Sequence, residues 1–220
     1  MTNKRIPITM IDYGASNIRS AQKAFEAVGA EVTVTSDPDV VRQGTRLVLP
    51  GVGAFGAGMD ALRARDLDTA VIETAVRGVP LLGICLGMQF LFEQSDEMGE
   101  NLGLGLLPGR VTRFALADPT LKVPHMGWNQ IEYEKGHPLL HEVPSGSHTY
   151  FVHSYYCVPA DRDHIIATTT YGHPFASIVG HNTIFGIQFH PEKSQRRGLQ
   201  LLRNYLTLVT TSKSEELSWD

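Results

Sequence analysis

Pro80-Leu81-Leu82-Gly83-Ile84-Cys85-Leu86-Gly87-Met88-Gln89 is the stretch on which the reading of this chain turns. Val79 to Ile84 is a short apolar run with strand character. A cysteine between two small-residue positions follows, and then a helical pattern through Met88, Gln89 and Phe92. A residue at such a strand-to-helix turn is forced into a cramped backbone, and Gly83 and Gly87 are the neighbours that let strand and helix close around it. The turn lifts its side chain above the sheet and aims the first amides of the helix at it, which favours a thiolate and any oxyanion formed beside it. The same residues also fit a buried cysteine in a βα turn, because free cysteine is among the most buried residue types. The pentapeptide Gly83 to Gly87 does not choose between the two.

Outward from this turn, 220 residues suffice for one sizeable α/β core and argue against two domains of ordinary size. With 42% apolar and 19% charged residues the composition is that of an ordinary globular protein, neither disordered nor membranous. A net charge of −4 offers no general attraction to nucleic acid. The two cysteines, Cys85 and Cys157, form no disulfide framework and have no metal-ligand spacing, so a reducing compartment is expected. Met1 to Pro7 lacks an apolar signal core, and no stretch approaches membrane-spanning length; the expected place is the cytoplasm.

Ile6 to Ile11 reads as a buried strand running into Asp12-Tyr13-Gly14. Ile18, Ala21, Phe25 and Val28 have helical spacing, with Ser16 or Asn17 as cap and Gly29 as stop. Glu31 to Thr35 and Arg46 to Leu49 read as strands with Asp37-Pro38 as a break between them, an order of βαββ. Pro50-Gly51-Val52-Gly53-Ala54-Phe55-Gly56 then forms a glycine-rich loop at a strand end, where open sheets bind ligands. It lacks the Lys-Ser/Thr of a P-loop and the spacing of a dinucleotide fingerprint. Met59 to Arg77 reads as two helices broken at Asp66 to Asp68. After Gln94 short strands are expected at 110–114, 128–133, 149–158, 164–170, 176–179 and 184–190, an antiparallel addition to a doubly wound sheet. A last helix spans about 194–208. One domain over residues 1–210 with a polar tail over 211–220 is the expected organisation.

Chemistry enters at the last strand, where Phe185, Ile187 and Phe189 share one face and Gly186, Gln188 and His190 the other. Pro191 ends it, which leaves His190 at the strand terminus with Glu192 two residues on. An imidazole there can take the thiol proton of Cys85 and return it to a leaving amine, while a carboxylate holds its far nitrogen. Cysteine, histidine and carboxylate are the parts needed for acyl transfer through a thioester. Each alone has a plainer reading: His190 is one of nine histidines, and an isolated glutamate is ordinarily a solvated acid.

Gly83-Ile84-Cys85-Leu86-Gly87-Met88-Gln89 together with Phe189-His190-Pro191-Glu192-Lys193-Ser194 resembles the class I, or triad, glutamine amidotransferases. The resemblance spans about residues 6 to 208. It implies a single α/β domain of flavodoxin-like form, a mostly parallel open sheet carrying a nucleophile elbow and added antiparallel strands. It also implies a nucleophile Cys85, a general acid/base His190 and an orienting Glu192. Asp12-Tyr13-Gly14-Ala15-Ser16-Asn17, Pro124-His125-Met126-Gly127-Trp128-Asn129 and Tyr150-Phe151-Val152-His153-Ser154-Tyr155 are similar to the amidotransferase subunits of imidazole glycerol phosphate synthases. Ser16 stands where that family usually has glycine.

By this resemblance the amides of Val52 and Leu86 form the oxyanion hole, and Gly51, Gly53, Gln89 and Ser154 meet glutamine. Asn17, Trp128, Tyr150 and Lys193 would face a partner. Read without it, Pro124 to Asn129 is a turn feeding a strand, with Trp128 in the core, and Cys157 is a packing residue. The implied reaction is hydrolysis of glutamine to glutamate and ammonia, with neither metal nor organic cofactor. The ammonia would pass to a cyclase subunit of (β/α)8-barrel form in a heterodimer. That subunit would join it to the nucleotide PRFAR, giving imidazole glycerol phosphate and AICAR in histidine biosynthesis. A domain that ends after the amidotransferase unit is expected to need this second protein. Three rivals share parts of the pattern: another class I amidotransferase, a partner-independent cysteine amidohydrolase, and a regulatory domain with a redox-sensing cysteine. The last has no use for His-Pro-Glu at the final strand.

Overall fold

In the computed structural model, residues 5–15 and 17–208 are described. Ser16 and the expected tail over 211–220 lie outside them. The first half alternates strand and helix: β1 (Ile6–Ile11), α1 (Ile18–Ala27), β2 (Ala30–Thr35), α2 (Pro38–Arg42), β3 (Leu47–Gly51), α3 (Phe55–Arg63), α4 (Leu67–Val76), β4 (Leu81–Cys85) and α5 (Leu86–Phe90). Short strands follow: β5 (Phe92–Ser95), β6 (Asn101–Leu102), β7 (Leu107–Arg113), β8 (His125–Ile131), β9 (Ser147–His153), β10 (Tyr155–Pro159), β11 (Ile165–Tyr171), β12 (His173–His181) and β13 (Ile184–Ile187). The helix α6 (Gln195–Thr207) closes the described chain.

The main sheet has the order β11-β12-β13-β4-β3-β1-β2. Strands β2, β1, β3, β4 and β13 run parallel, and β12 and β11 extend one edge antiparallel. Alternation along the buried strands splits the core in two. Ile8, Met10, Val48, Leu82 and Ile84 face a cluster with Phe25 of α1 and Tyr205 of α6. Leu47, Leu49 and Leu81 face another with Phe55 of α3, Val71 of α4 and Phe90 of α5. Helices on both faces are what an all-parallel sheet core requires, since both of its faces must be buried. A four-stranded sheet, β10-β7-β5-β6, and the hairpin β8-β9 stand beside this core.

Several local expectations are corrected. Asp37-Pro38 starts a helix instead of breaking a strand. The Asp37 side chain accepts from the Asp39 amide at 2.9 Å and Pro38 takes a first-turn position, where its missing N–H costs nothing, so the order is βαβαβ. Asn17 takes the N-cap position of α1, as expected, but its side chain makes no capping hydrogen bond. Its backbone is left-handed, with φ 77°, and its side chain turns instead to Glu192. The helix after Cys85 ends at Phe90, because Phe92 pairs with Leu107 in the second sheet. The run 149–158 is two strands in two sheets, bent at Ser154. Trp128 is 47% exposed, so the core reading of that residue fails.

Candidate active site

Three parallel strands, β3, β4 and β13, end on one edge of the sheet, with Gly51 beside Cys85 and Ile84 beside Ile187. That register places the loop after β3, the turn after β4 and the segment 188–190 side by side. Ligands bind in open α/β sheets in this crevice outside the carboxyl ends of the strands.

Cys85 sits at the last position of β4 with φ 55° and ψ −111°, a conformation that a side-chain-bearing residue adopts only under constraint. The constraint is visible in the glycines. A Cβ on Gly83 would lie 2.5 Å from the Gly87 carbonyl oxygen, and one on Gly87 would overlap the Leu49 carbonyl. Strand and helix therefore pack backbone against backbone around the thiol. Helix α5 has only five residues, so its first amides act on Cys85 as local dipoles rather than through a long helix axis.

His190 follows β13 and is fastened by its backbone. Its amide donates to the Tyr150 carbonyl at 2.9 Å. The Ser194 hydroxyl donates to the His190 carbonyl at 2.6 Å and accepts from the Tyr150 amide at 3.0 Å. His190 Nδ1 lies 2.8 Å from Glu192 Oε1, with both side chains almost wholly buried. That contact leaves Nε2 buried without a hydrogen-bond partner among the described residues. Burial pulls the imidazole toward neutrality, but Cys85 and Glu192 outweigh it and hold its pKa up at about 10.

Cys85 and His190 line one cavity of about 320 Å³, with Val52, Gly53, Leu86, Gln89, Glu97, His153, Ser154 and Tyr155 among its walls. Val52, Leu86, Gly53, Gln89 and Ser154 thus line the same cavity as the thiol. Gly51 lies behind them, in a narrow crevice with Asn17, Val52 and Glu192. Gln89 Nε2 donates to the Tyr155 carbonyl at 3.0 Å and to Gln188 Oε1 at 3.2 Å, and Gln188 Nε2 lies 3.9 Å from Cys85 Sγ. Cys157 is buried and packs in the core.

Glu97 is a cavity residue that sequence reasoning missed. Its carboxylate accepts from the Phe55 amide at 2.7 Å, so it caps α3 while facing the cavity. An acid in Ser95-Asp96-Glu97-Met98-Gly99 carries no local signal, and only the path of the second sheet brings it there. Beyond the cavity, Trp128 and Tyr150 pack edge to face at 6.1 Å, with Lys193 Nζ 5.6 Å from the Tyr150 ring. Asn17 Nδ2 is 3.4 Å from Glu192 Oε1. Three of the four residues expected at a partner surface therefore form one patch, and the fourth touches the triad carboxylate.

The family model for glutamine amidotransferase class-I matches residues 9–208. The imidazole glycerol phosphate synthase subunit HisH of Salinibacter ruber is 52% identical over 94% of this chain and 96% of its own. The subunit of the same name from Moorella thermoacetica is 49% identical over 92% and 95%. The fold is shared with the PurLQS structure from Thermotoga maritima, at TM-score 0.71 and 21% identity over 92% of this chain and 98% of that one. A thiol in a strained elbow, a carboxylate-held imidazole and this likeness along nearly the whole chain place it in the class-I glutamine amidotransferase family, among the HisH subunits of imidazole glycerol phosphate synthase.

Proposed function

We propose that this chain is the glutaminase half of an imidazole glycerol phosphate synthase, folded as one amidotransferase domain over residues 1–210 and working in the cytoplasm. The observation that carries the reading is the Glu192–His190 contact at 2.8 Å, with the unpartnered Nε2 on the same cavity as Cys85. Cys85 passes its proton to His190 Nε2 and its Sγ adds to the carboxamide carbon of glutamine, whose carbonyl oxygen takes up negative charge against the Val52 and Leu86 amides. His190 Nε2 then gives its proton to the departing nitrogen. Ammonia leaves and a glutamyl thioester remains on Cys85. His190 next takes a proton from water, the hydroxide opens the thioester, and glutamate and the thiol are restored. Glu192 keeps the imidazole oriented and stabilises its charged form in both steps.

Gln89, Gly51, Gly53 and Ser154 shape the glutamine site, and the Glu97 carboxylate on its wall suits an α-ammonium group. The patch of Trp128, Tyr150 and Lys193, with Asn17 beside it, docks a (β/α)8-barrel cyclase in a heterodimer. That partner receives the ammonia and converts PRFAR to imidazole glycerol phosphate and AICAR. The test is glutamate release by this protein alone, then with the cyclase and its nucleotide substrate. A weak rate that rises strongly in the full mixture and vanishes in Cys85→Ala is expected. Stimulation only by the synthase of another pathway would overturn the partner, and activity surviving in Cys85→Ala would overturn the nucleophile.

A further inference from the structure

Gln188 stands one residue past the end of β13, and the pairing of Ile187 with Ile84 sets it level with Cys85. Its backbone N–H donates to the Ser177 carbonyl at 2.9 Å, which fixes the main chain there. Its side chain is wholly buried, a costly place for a primary amide unless its polar atoms find partners. Among the described residues the only acceptor for its NH2 group is Cys85 Sγ, 3.9 Å from Nε2. That contact is also the one hydrogen bond the sulfur receives from the described residues.

The neighbours dictate which way this amide points. Gln89, one helical turn beyond Cys85, donates from Nε2 to the Tyr155 carbonyl at 3.0 Å, and a carbonyl can only accept. The same Nε2 gives its other hydrogen toward Gln188 at 3.2 Å, so the Gln188 atom that meets it is the oxygen. The opposite end of the Gln188 amide is therefore the NH2 group, and it faces the thiol. A reversed amide would set two donors against each other at Gln89 and an oxygen against the sulfur. Tyr155, from which the chain of bonds starts, is held in turn by His153 Nδ1 at 2.8 Å from its carbonyl.

An N–H aimed at sulfur does little for a neutral thiol and more for a thiolate, because a hydrogen bond to an ionised group is about twice as strong as a neutral one. At 3.9 Å the contact is loose, as catalytic hydrogen bonds commonly are before substrate and charge draw them together. We propose that Gln188 is the donor that holds the Cys85 thiolate, both when the sulfur attacks and when it leaves. The proposal rests on the glutaminase reading and adds a residue to that site. In the first half-reaction the donor raises the thiolate fraction. The accompanying loss of nucleophilicity is smaller, since it follows basicity with a slope of only about one half. In the second, water gives a proton to His190 Nε2 and its oxygen adds to the thioester carbon. The C–S bond then breaks with its electron pair on sulfur, where the Gln188 N–H meets it until His190 returns the proton.

Gln188→Met keeps the length of the side chain and removes the donor. The inflection in the pH dependence of Cys85 alkylation by iodoacetamide, read by mass on the Cys85 peptide, should move up by about one pH unit. Glutaminase kcat should fall about tenfold with KM for glutamine no higher. Gln188→Glu sets an oxygen against the sulfur and should move the alkylation inflection further in the same direction. The wild-type protein offers a measurement that holds whether or not these variants fold: the Gln188 side-chain amide resonance should titrate with the alkylation inflection and lose that inflection in Cys85→Ala. A resonance that ignores the thiol, an alkylation profile unchanged in folded Gln188→Met, or a loss expressed in KM with kcat level would overturn the proposal. Absence of glutaminase activity in the wild-type complex, with the alkylation and resonance results intact, would instead overturn the functional reading beneath it.

Discussion

Two buried histidine sites adjoin one cavity, and one is charged where the other is neutral. His190 has a carboxylate at 2.8 Å and is held up at about 10, although burial alone would lower it. His153 lines the same cavity and His125 meets it edge to face from behind, yet burial drives them to about 3 and about 4. Their partners are neutral. His153 Nδ1 meets the Tyr155 carbonyl at 2.8 Å, so it carries the hydrogen, and its Nε2 accepts from His125 Nδ1 at 3.1 Å. His125 Nε2 then accepts from the Asn129 amide at 3.3 Å. The contrast teaches that depth does not decide protonation here. A carboxylate two residues from His190 makes a proton carrier, whereas the neutral chain Asn129–His125–His153 makes a fixed brace for the cavity wall.

The contrast can be broken most forcefully at Glu192. Replacing the carboxylate by an amide in Glu192→Gln should lower the His190 pKa and cut glutaminase kcat by about a thousand- to ten-thousandfold, the scale on which losing an orienting carboxylate acts in such triads. Steady-state glutamate release measures it, and a loss under tenfold would mean that Glu192 does not orient the imidazole.

Acid and alkali should act on different sites. The folded-state values of His125 and His153 lie below the ordinary 6.5, so the unfolded chain takes up protons first as pH falls. Their contribution to stability is complete above about 6.5 and is lost toward about 4 and 3, with a slope of at most about 1.4 kcal/mol per pH unit for each histidine. His190 has the opposite sign: its raised value gives a contribution complete below 6.5 and lost as pH rises through about 10. Thermal unfolding between pH 6.5 and 5, a window above most carboxylate titrations, should show Tm falling with pH. A level Tm there would refute the neutral pair.

The smallest change converts one kind of site into the other. Asn129→Asp sets a carboxylate against His125 Nε2 and should raise that pKa by about one to three units, read from the ring resonances. It also removes the amide hydrogen now given to the Thr170 carbonyl at 2.9 Å, at a cost of about 1 to 3 kcal/mol in stability. A His125 pKa that stays near 4 would show that burial, not partner chemistry, decides.

Much of this was legible in the residues themselves. Short apolar strands, the turn Gly83-Ile84-Cys85-Leu86-Gly87 and His190-Pro191-Glu192 are local signals, because side-chain period and glycine at a close approach act within a few residues, although the last strand stops at Ile187, short of the expected His190, and Pro191 opens a 3-10 turn. Helix α2 was missed because Asp37-Pro38 serves equally as a break and as a helix start. Glu97, Tyr13 and the pair His125–His153 gave no signal of position, since an acid in a turn or an aromatic after a strand is common.

By itself the sequence determined most of the α/β order, α2 excepted, together with the elbow cysteine and the imidazole with its nearby carboxylate, for these depend on neighbours along the chain. Tertiary structure alone decided that β3, β4 and β13 end side by side. It also set the bend at Ser154 that turns the wall toward the thiol, left Trp128 exposed beside Tyr150, and put the buried Tyr13 hydroxyl against Gly51. Those facts depend on which strands pair and how closely two backbones approach, and such contacts join residues far apart along the chain.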